Sequence, residues 1–224
     1  MTPQMSQPMS QPMSQPMSTA RVRRTPHGQD SLLEIAVGEF ITRGYDATSM
    51  EDLSRAAGIT KSSFYHHFAS KEALLRAALD RSLAGLFALL DEPGATTGNP
   101  LARLRHIVRG QVAVLQRDLP YVTLLLRVRG NTESERWALE RRREFDARIA
   151  ALVRAADEAG ELRAGVDPIL AARMLSGLVN SVVEWYRPGR PGAAALPDDV
   201  ARAAFEGILP APAESRGESD VSAR

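Results

Sequence analysis

The chain has 224 residues, and its 28 Lys and Arg against 27 Asp and Glu leave a net charge of +1, so any site for an anionic partner must be local. The absence of cysteine excludes disulfides, thiolate nucleophiles, thiolate metal sites and CxxC redox chemistry in one step. Charge-free runs such as 174–183 fall well short of the roughly 18 apolar residues of a membrane span, so a soluble, cytoplasmic protein with no membrane partner is expected.

The first 18 residues repeat Met-Ser-Gln-Pro from Met5, Met9 and Met13, ending in the partial copy Met17-Ser18. A proline every fourth residue forbids a continuous helix, and few large apolar groups offset the entropy of ordering, so disorder is expected. Arg21, Arg23 and Arg24 follow, three positive charges ahead of the first predicted helix. Two readings stand for this arm: a solubilising linker, or a contact to DNA backbone or minor groove.

From Thr25 onward the apolar spacing is helical, and no segment alternates with period two for long enough to make a strand. An all-α chain of about nine helices is predicted. The first helix ends near Arg43 and puts Leu33, Ala36, Val37, Phe40 and Ile41 on one face; it starts either at Thr25-Pro26 or at the capping box Ser31-x-x-Glu34. Thr48-x-x-Glu51 reads as a capping box for a short second helix through Met50, Leu53 and Ala56. Gly58-Ile59-Thr60 supplies a tight turn, a third helix covers about 61–68, and Ser70 caps a fourth that stops before Asp91. The Pro/Gly/Thr/Asn loop 93–100 separates a small N-terminal unit from a larger C-terminal one. Five further helices are expected near 101–117, 119–129, 133–159, 168–186 and 198–209. Arg141, Arg142 and Arg143, flanked by Glu140 and Glu144, read as a solvated face.

Two short helices joined by a glycine turn make a helix-turn-helix, whose second helix enters the major groove. Lys61 and Lys71 are the only lysines in the chain, and they bracket Ser62, Ser63, Tyr65, His66 and His67 with no carboxylate between them. Hydroxyl, phenol, imidazole and ammonium donors free of acids suit phosphate oxygens and base edges. The bland reading, packing of Phe64 and Phe68 beneath a decorated surface, explains the apolar members and leaves the polar ones unexplained.

The run from Gly44, GYDATSMEDLSRAAGITKSSFYHHFASKEALL, resembles the DNA-binding domain of the TetR family of bacterial transcriptional regulators over roughly 31–75. Gly44-Tyr45, Ala56-Ala57-Gly58, the Tyr-x-His-Phe at 65–68 and Ser70-Lys71-Glu72 carry the match; Ser62-Ser63 departs from relatives with a glycine there. The resemblance implies an Ω-shaped all-α homodimer with a helix-turn-helix domain at 25–75 and a helical effector-binding and dimerisation domain at 76–210. The tail 211–224 is expected to be disordered. It also implies site roles. Thr48 and Ser49 would contact phosphate, while Thr60, Lys61, Ser62 and Ser63 would face base edges and the near backbone, with Lys61 reading a guanine. Tyr65, His67 and Lys71 would bind phosphates, and His66 is open between contact and bystander.

In the C-terminal domain, Leu170, Met174, Leu178, Val182 and Trp185 form one stripe and Val200, Ala204 and Ile208 another. The resemblance assigns both to a two-fold dimer interface, and an intramolecular core is the alternative. An effector pocket is expected among His106, Val114, Leu115, Tyr121, Leu124, Leu125, Trp137 and Asn180, each of which could equally be core packing. His106 has no partner at metal-ligand spacing, so neither metal nor cofactor is expected. The segment 184–189 resembles regulators that sense acyl-CoA or other lipid metabolites. No Gly-x-x-x-x-Gly-Lys, Gly-x-Gly-x-x-Gly, Gly-x-Ser-x-Gly or His-Glu-x-x-His motif occurs, which argues against an enzyme. The expected function is a repressor released from a pseudo-palindromic operator by a small effector; an adaptor, or a DNA-binding protein without a ligand, is the alternative.

Overall fold

The computed structural model describes residues 28–206 as ten α-helices and one 3-10 turn, with no strand among the described residues. The repeat tail, Arg21, Arg23, Arg24, Ile208 and the C-terminal tail lie outside the described residues. No helix among the described residues is long and apolar enough to cross a membrane.

Helix α1 (Gln29–Arg43) buries Leu32, Leu33, Ala36, Val37 and Phe40, the one-sided spacing that drives an amphipathic helix onto a core. It begins at Gly28 with no side-chain cap, so neither expected start is used. It ends at Gly44, whose φ of +90° suits glycine and whose N–H donates to Phe40 O. Helix α2 (Met50–Ala56) is capped one residue later than the sequence suggests: Ser49 Oγ accepts from Asp52 N at 3.1 Å, and Asp52 Oδ2 accepts from Ser49 N at 3.0 Å. Gly58, at φ +64°, then turns the chain into α3 (Lys61–His67), where Thr60 Oγ1 accepts from Ser63 N at 3.1 Å. Ser70 caps α4 (Lys71–Leu90) through Ala73 N.

The 93–100 segment is not a plain loop. It contains the single-turn helix α5 (Pro93–Thr96), which buries Ala95. Helices α6 (Pro100–Arg117), α7 (Leu119–Arg127), α8 (Glu133–Glu158), α9 (Pro168–Trp185) and α10 (Leu196–Glu206) follow close to the expected places. The 3-10 turn Ala193–Ala195 feeds α10 two residues early. Asn99, Thr132 and Asp167 cap α6, α8 and α9 by accepting backbone N–H bonds.

One apolar core unites α1–α4 with Tyr121, Leu124, Leu125 and Val128 of the α7 region and Ala138 of α8. A second lies among α6, α7, α9 and α10, and a third joins α5, α6, α8 and α9. Helix α4 therefore belongs to both halves: its buried leucines Leu74, Leu75, Leu79 and Leu83, worth roughly 2 kcal/mol each, pack the N-terminal helices onto α7 and α8.

Candidate nucleic-acid interface and effector cavity

Phe64 and Phe68 are buried with ring centroids 6.4 Å apart, and they anchor α3 by its inner face. The outer face then exposes Thr60, Lys61, Ser62, Tyr65, His66 and His67, with Ser63 half-buried. Tyr65 is 43% exposed, unusual for a phenol with no packing role, and Lys61 Nζ lies 6.0 Å from its ring centroid. The first turn of α3 carries no acid. The nearest acids on α2 are tied to arginines: Glu51 and Asp52 to Arg55, and Asp52 also to Arg43. Hydrogen bonds from the Ser49 hydroxyl and backbone hold the Asp52 carboxyl below its usual range, with Arg55 and Arg43 adding to the effect.

Two of the expected phosphate contacts are placed otherwise. Thr48 is 1% exposed and its hydroxyl donates to Gly44 O at 2.8 Å, so it fastens the α1–α2 turn and leaves Ser49 as the exposed hydroxyl. Lys71 is half-buried; its Nζ donates to Tyr45 O at 2.9 Å and sits 4.2 Å from the Tyr45 ring centroid. It staples the α1–α2 loop to the start of α4 instead of projecting as Lys61 does.

The same corner carries a link between the two halves. Glu72 accepts from Tyr45 Oη at 3.2 Å and from Ser134 N, in the first turn of α8, at 2.9 Å. Burial pushes Glu72 up, but the bonds from Ser134 and Tyr45 outweigh it and lower its carboxyl below the usual value. Burial, with Glu72 alongside, pushes the Tyr45 phenol well up. Four residues further along α4, the Arg76 guanidinium stacks 3.4 Å from the Trp137 ring centroid, a second tie to α8.

A small cavity of about 40 Å³ lies where α4, α6, α7, α8 and α9 meet. Leu115, Leu125 and Asn180 of the expected set line it. The other five do not. Val114 packs beneath Gly85 of α4, where a Cβ would lie 3.2 Å from its Cγ1. Tyr121 and Leu124 belong to the core shared with the N-terminal helices, Trp137 lies under Arg76, and His106 Nε2 is 2.7 Å from Glu92 Oε2 beside α5. Sequence reasoning missed Gln111, Ser176, Arg142 and Asp146, the polar members of the lining besides Asn180. Their signal was a polar residue interrupting an apolar helix, and for Arg142 and Asp146 an i,i+4 pair on α8. The arginine run is therefore not one solvated face: Arg141 stacks 3.8 Å from the Phe87 ring centroid, Arg142 lines the cavity, and Arg143 is exposed. Asp146 reaches solvent at the rim, where its low-dielectric surroundings raise its carboxyl and Arg142 partly offsets the rise.

On α9 the expected stripe divides. Leu170, Met174, Leu178 and Trp185 are 55%, 66%, 38% and 51% exposed, and Ile169 adjoins them at 58%. Val182 and Val200 are instead buried within the subunit, in the core that α9 and α10 share with α6, and Ala204 is half-buried. The large apolar side chains of this row are exposed at helical spacing, whereas Val182 and Val200 are core.

Residues 32–78 match the bacterial regulatory proteins of the tetR family, and residues 97–208 match the tetracyclin repressor-like C-terminal domain. The HTH-type transcriptional repressor KstR2 of Mycobacterium tuberculosis is 31% identical over 168 residues, which cover 71% of this chain and 82% of that protein. The solved structure of that organism's KstR2, a ketosteroid transcriptional regulator, is similar at a TM-score of 0.73 and 27% identity, over 85% of this chain and 100% of the other. SCO3833 of Streptomyces coelicolor A3, a member of the TetR transcriptional regulator family, is 55% identical with a TM-score of 0.77, over 83% and 93% of the two chains. The chain described here belongs to the TetR family of bacterial transcriptional regulators.

Proposed function

We propose that the chain is a ligand-responsive transcriptional repressor, acting in the cytoplasm as a homodimer on a pseudo-palindromic DNA operator. The observation that carries this reading is the path of α8: its middle lines the central cavity through Arg142, Phe145 and Asp146, and its first turn donates to Glu72. Glu72 begins the helix that follows α3. Lys61, Ser62 and Ser63 read base edges, with Lys61 taking a guanine, while Ser49, Thr60, Tyr65 and His67 position the helix on phosphates. The exposed α9 stripe pairs with its two-fold copy.

The cavity wall is apolar apart from Gln111, Ser176 and Asn180 and the Arg142–Asp146 pair on α8, which suits a lipophilic metabolite with a polar group, acyl-CoA among them. KstR2, a named repressor and ketosteroid regulator, supports both the sign and this class. Small-molecule sites run to roughly 300–1,000 Å³, so an effector has to part α6, α8 and α9 from their present 40 Å³ spacing. That movement is what gives the ligand unequal affinity for the two states. The tightness of the cavity favours one competing reading, a DNA-binding protein without a small ligand. Titrating acyl-CoA and steroid ligands into a fluorescent protein–operator complex separates them. Release by about fivefold or more supports a coupled effector, and a smaller change at saturation contradicts it.

A further inference from the structure

A second cavity, about 280 Å³, opens between the end of α4, the α5 turn, α6 and α8, on a wall the central cavity does not share. Leu90, Ala95, Ile107 and Leu152 make its walls apolar, and Arg103 and Arg148 stand in its lining. We propose that it is a second small-molecule site, which takes a medium-chain carboxylate.

The roof is built, not incidental. Gly94 in α5 lets the turn close onto α6, since a Cβ there would lie 2.4 Å from His106 Nδ1. His106 Nε2 lies 2.7 Å from Glu92 Oε2, and Arg103 Nε donates to Ala95 O at 2.7 Å, so α5 is tied to α6 at two points. Two arginines and no carboxylate stand in the lining. Arg103 bonds a neutral carbonyl, and Glu144, which pairs with Arg148 at 3.5 Å, is shared with Arg141. Two guanidinium groups beside an apolar wall match an anionic head on a hydrocarbon tail, because the head gains charge-assisted hydrogen bonds while the tail leaves water. At about 280 Å³ the cavity lies at the small end of small-molecule sites, roughly 300–1,000 Å³, which suits a medium chain better than a long one.

The test is calorimetric titration of the full-length protein with octanoate, with octan-1-ol as the neutral probe of the same chain. The expected result is one octanoate per protomer, with octanol bound about tenfold more weakly. Arg148→Gln is expected to weaken octanoate about fivefold or more, and Ala151→Trp, at an exposed lining position, to abolish it, while Asn180→Leu in the central cavity leaves it unchanged. If Ala151→Trp lowers Tm markedly, Arg148→Gln alone carries the test, since its side chain is 58% exposed and no core depends on it. Absence of octanoate binding, equal affinity for octanol, or loss on Asn180→Leu with retention in Arg148→Gln overturns the proposal. None of these outcomes bears on operator release by an effector in the central cavity.

Discussion

Glu72 on α4 accepts the backbone N–H of Ser134 in the first turn of α8 at 2.9 Å, so one carboxylate joins the helix after the recognition helix to the helix that lines the central cavity. Removing it strands the donors it holds, Ser134 N–H and the Tyr45 hydroxyl among them. Glu72→Ala is therefore expected to cost about 1–3 kcal/mol at pH 7, measured by denaturant unfolding. The pH dependence follows from the lowered carboxyl. Its contribution is fully present above the ordinary glutamate value of about 4.3 and is lost as pH falls through the lower folded value. The gap between wild type and Glu72→Ala should accordingly narrow as pH falls below the ordinary glutamate value. Equal stability of the two proteins at pH 7 would remove this link from the account.

Lys61 and Tyr65 project from α3 while Phe64 and Phe68 hold it, so the outer pair is separable from folding. Lys61→Ala and Tyr65→Ala are each expected to weaken operator binding by about 1–3 kcal/mol, with Tm unchanged. Lys61→Ala should also relax base preference at one position. A uniform loss over all sequences would make Lys61 a phosphate contact instead.

The two classes of residue on α9 predict opposite phenotypes. Met174→Glu, on the exposed stripe, is expected to give a folded monomer in sedimentation, since it places a charge in the proposed two-fold interface. Val182→Ala is expected to leave the dimer intact and lower subunit stability by about 2 kcal/mol, because its methyl groups are buried inside one chain. A dimeric Met174→Glu protein would move the interface off this face.

In the central cavity, Asn180→Leu swaps a polar anchor for an apolar one of similar size. Operator affinity is expected to stay within about threefold of wild type, while the effector response falls by about tenfold. Loss of DNA binding without ligand would instead give Asn180 a structural role.

The helices were legible because apolar spacing and hydroxyl caps agree along the chain, and the α3 face was legible because its donors stand free of acids. The α2 cap slipped by one because Thr48-x-x-Glu51 and Ser49-x-x-Asp52 overlap, and only the Gly44 carbonyl, which takes the Thr48 hydroxyl, decides between them. On α9, periodicity cannot say which apolar face turns inward. Val179 and Val182 do, while Leu170, Met174 and Leu178 turn out. The cavity was the least legible part, since its polar lining comes from helices far apart in sequence. His106, a conspicuous lone histidine, is held by Glu92 beside α5, away from the central cavity.

The most direct test of sequence-specific repression is in vitro selection of the full-length protein on random duplex DNA at near-physiological salt, followed by sequencing. The account predicts a palindromic consensus, with half-sites one helical turn, about 10 base pairs, or slightly more apart. Binding that yields no consensus and varies only with salt would contradict it.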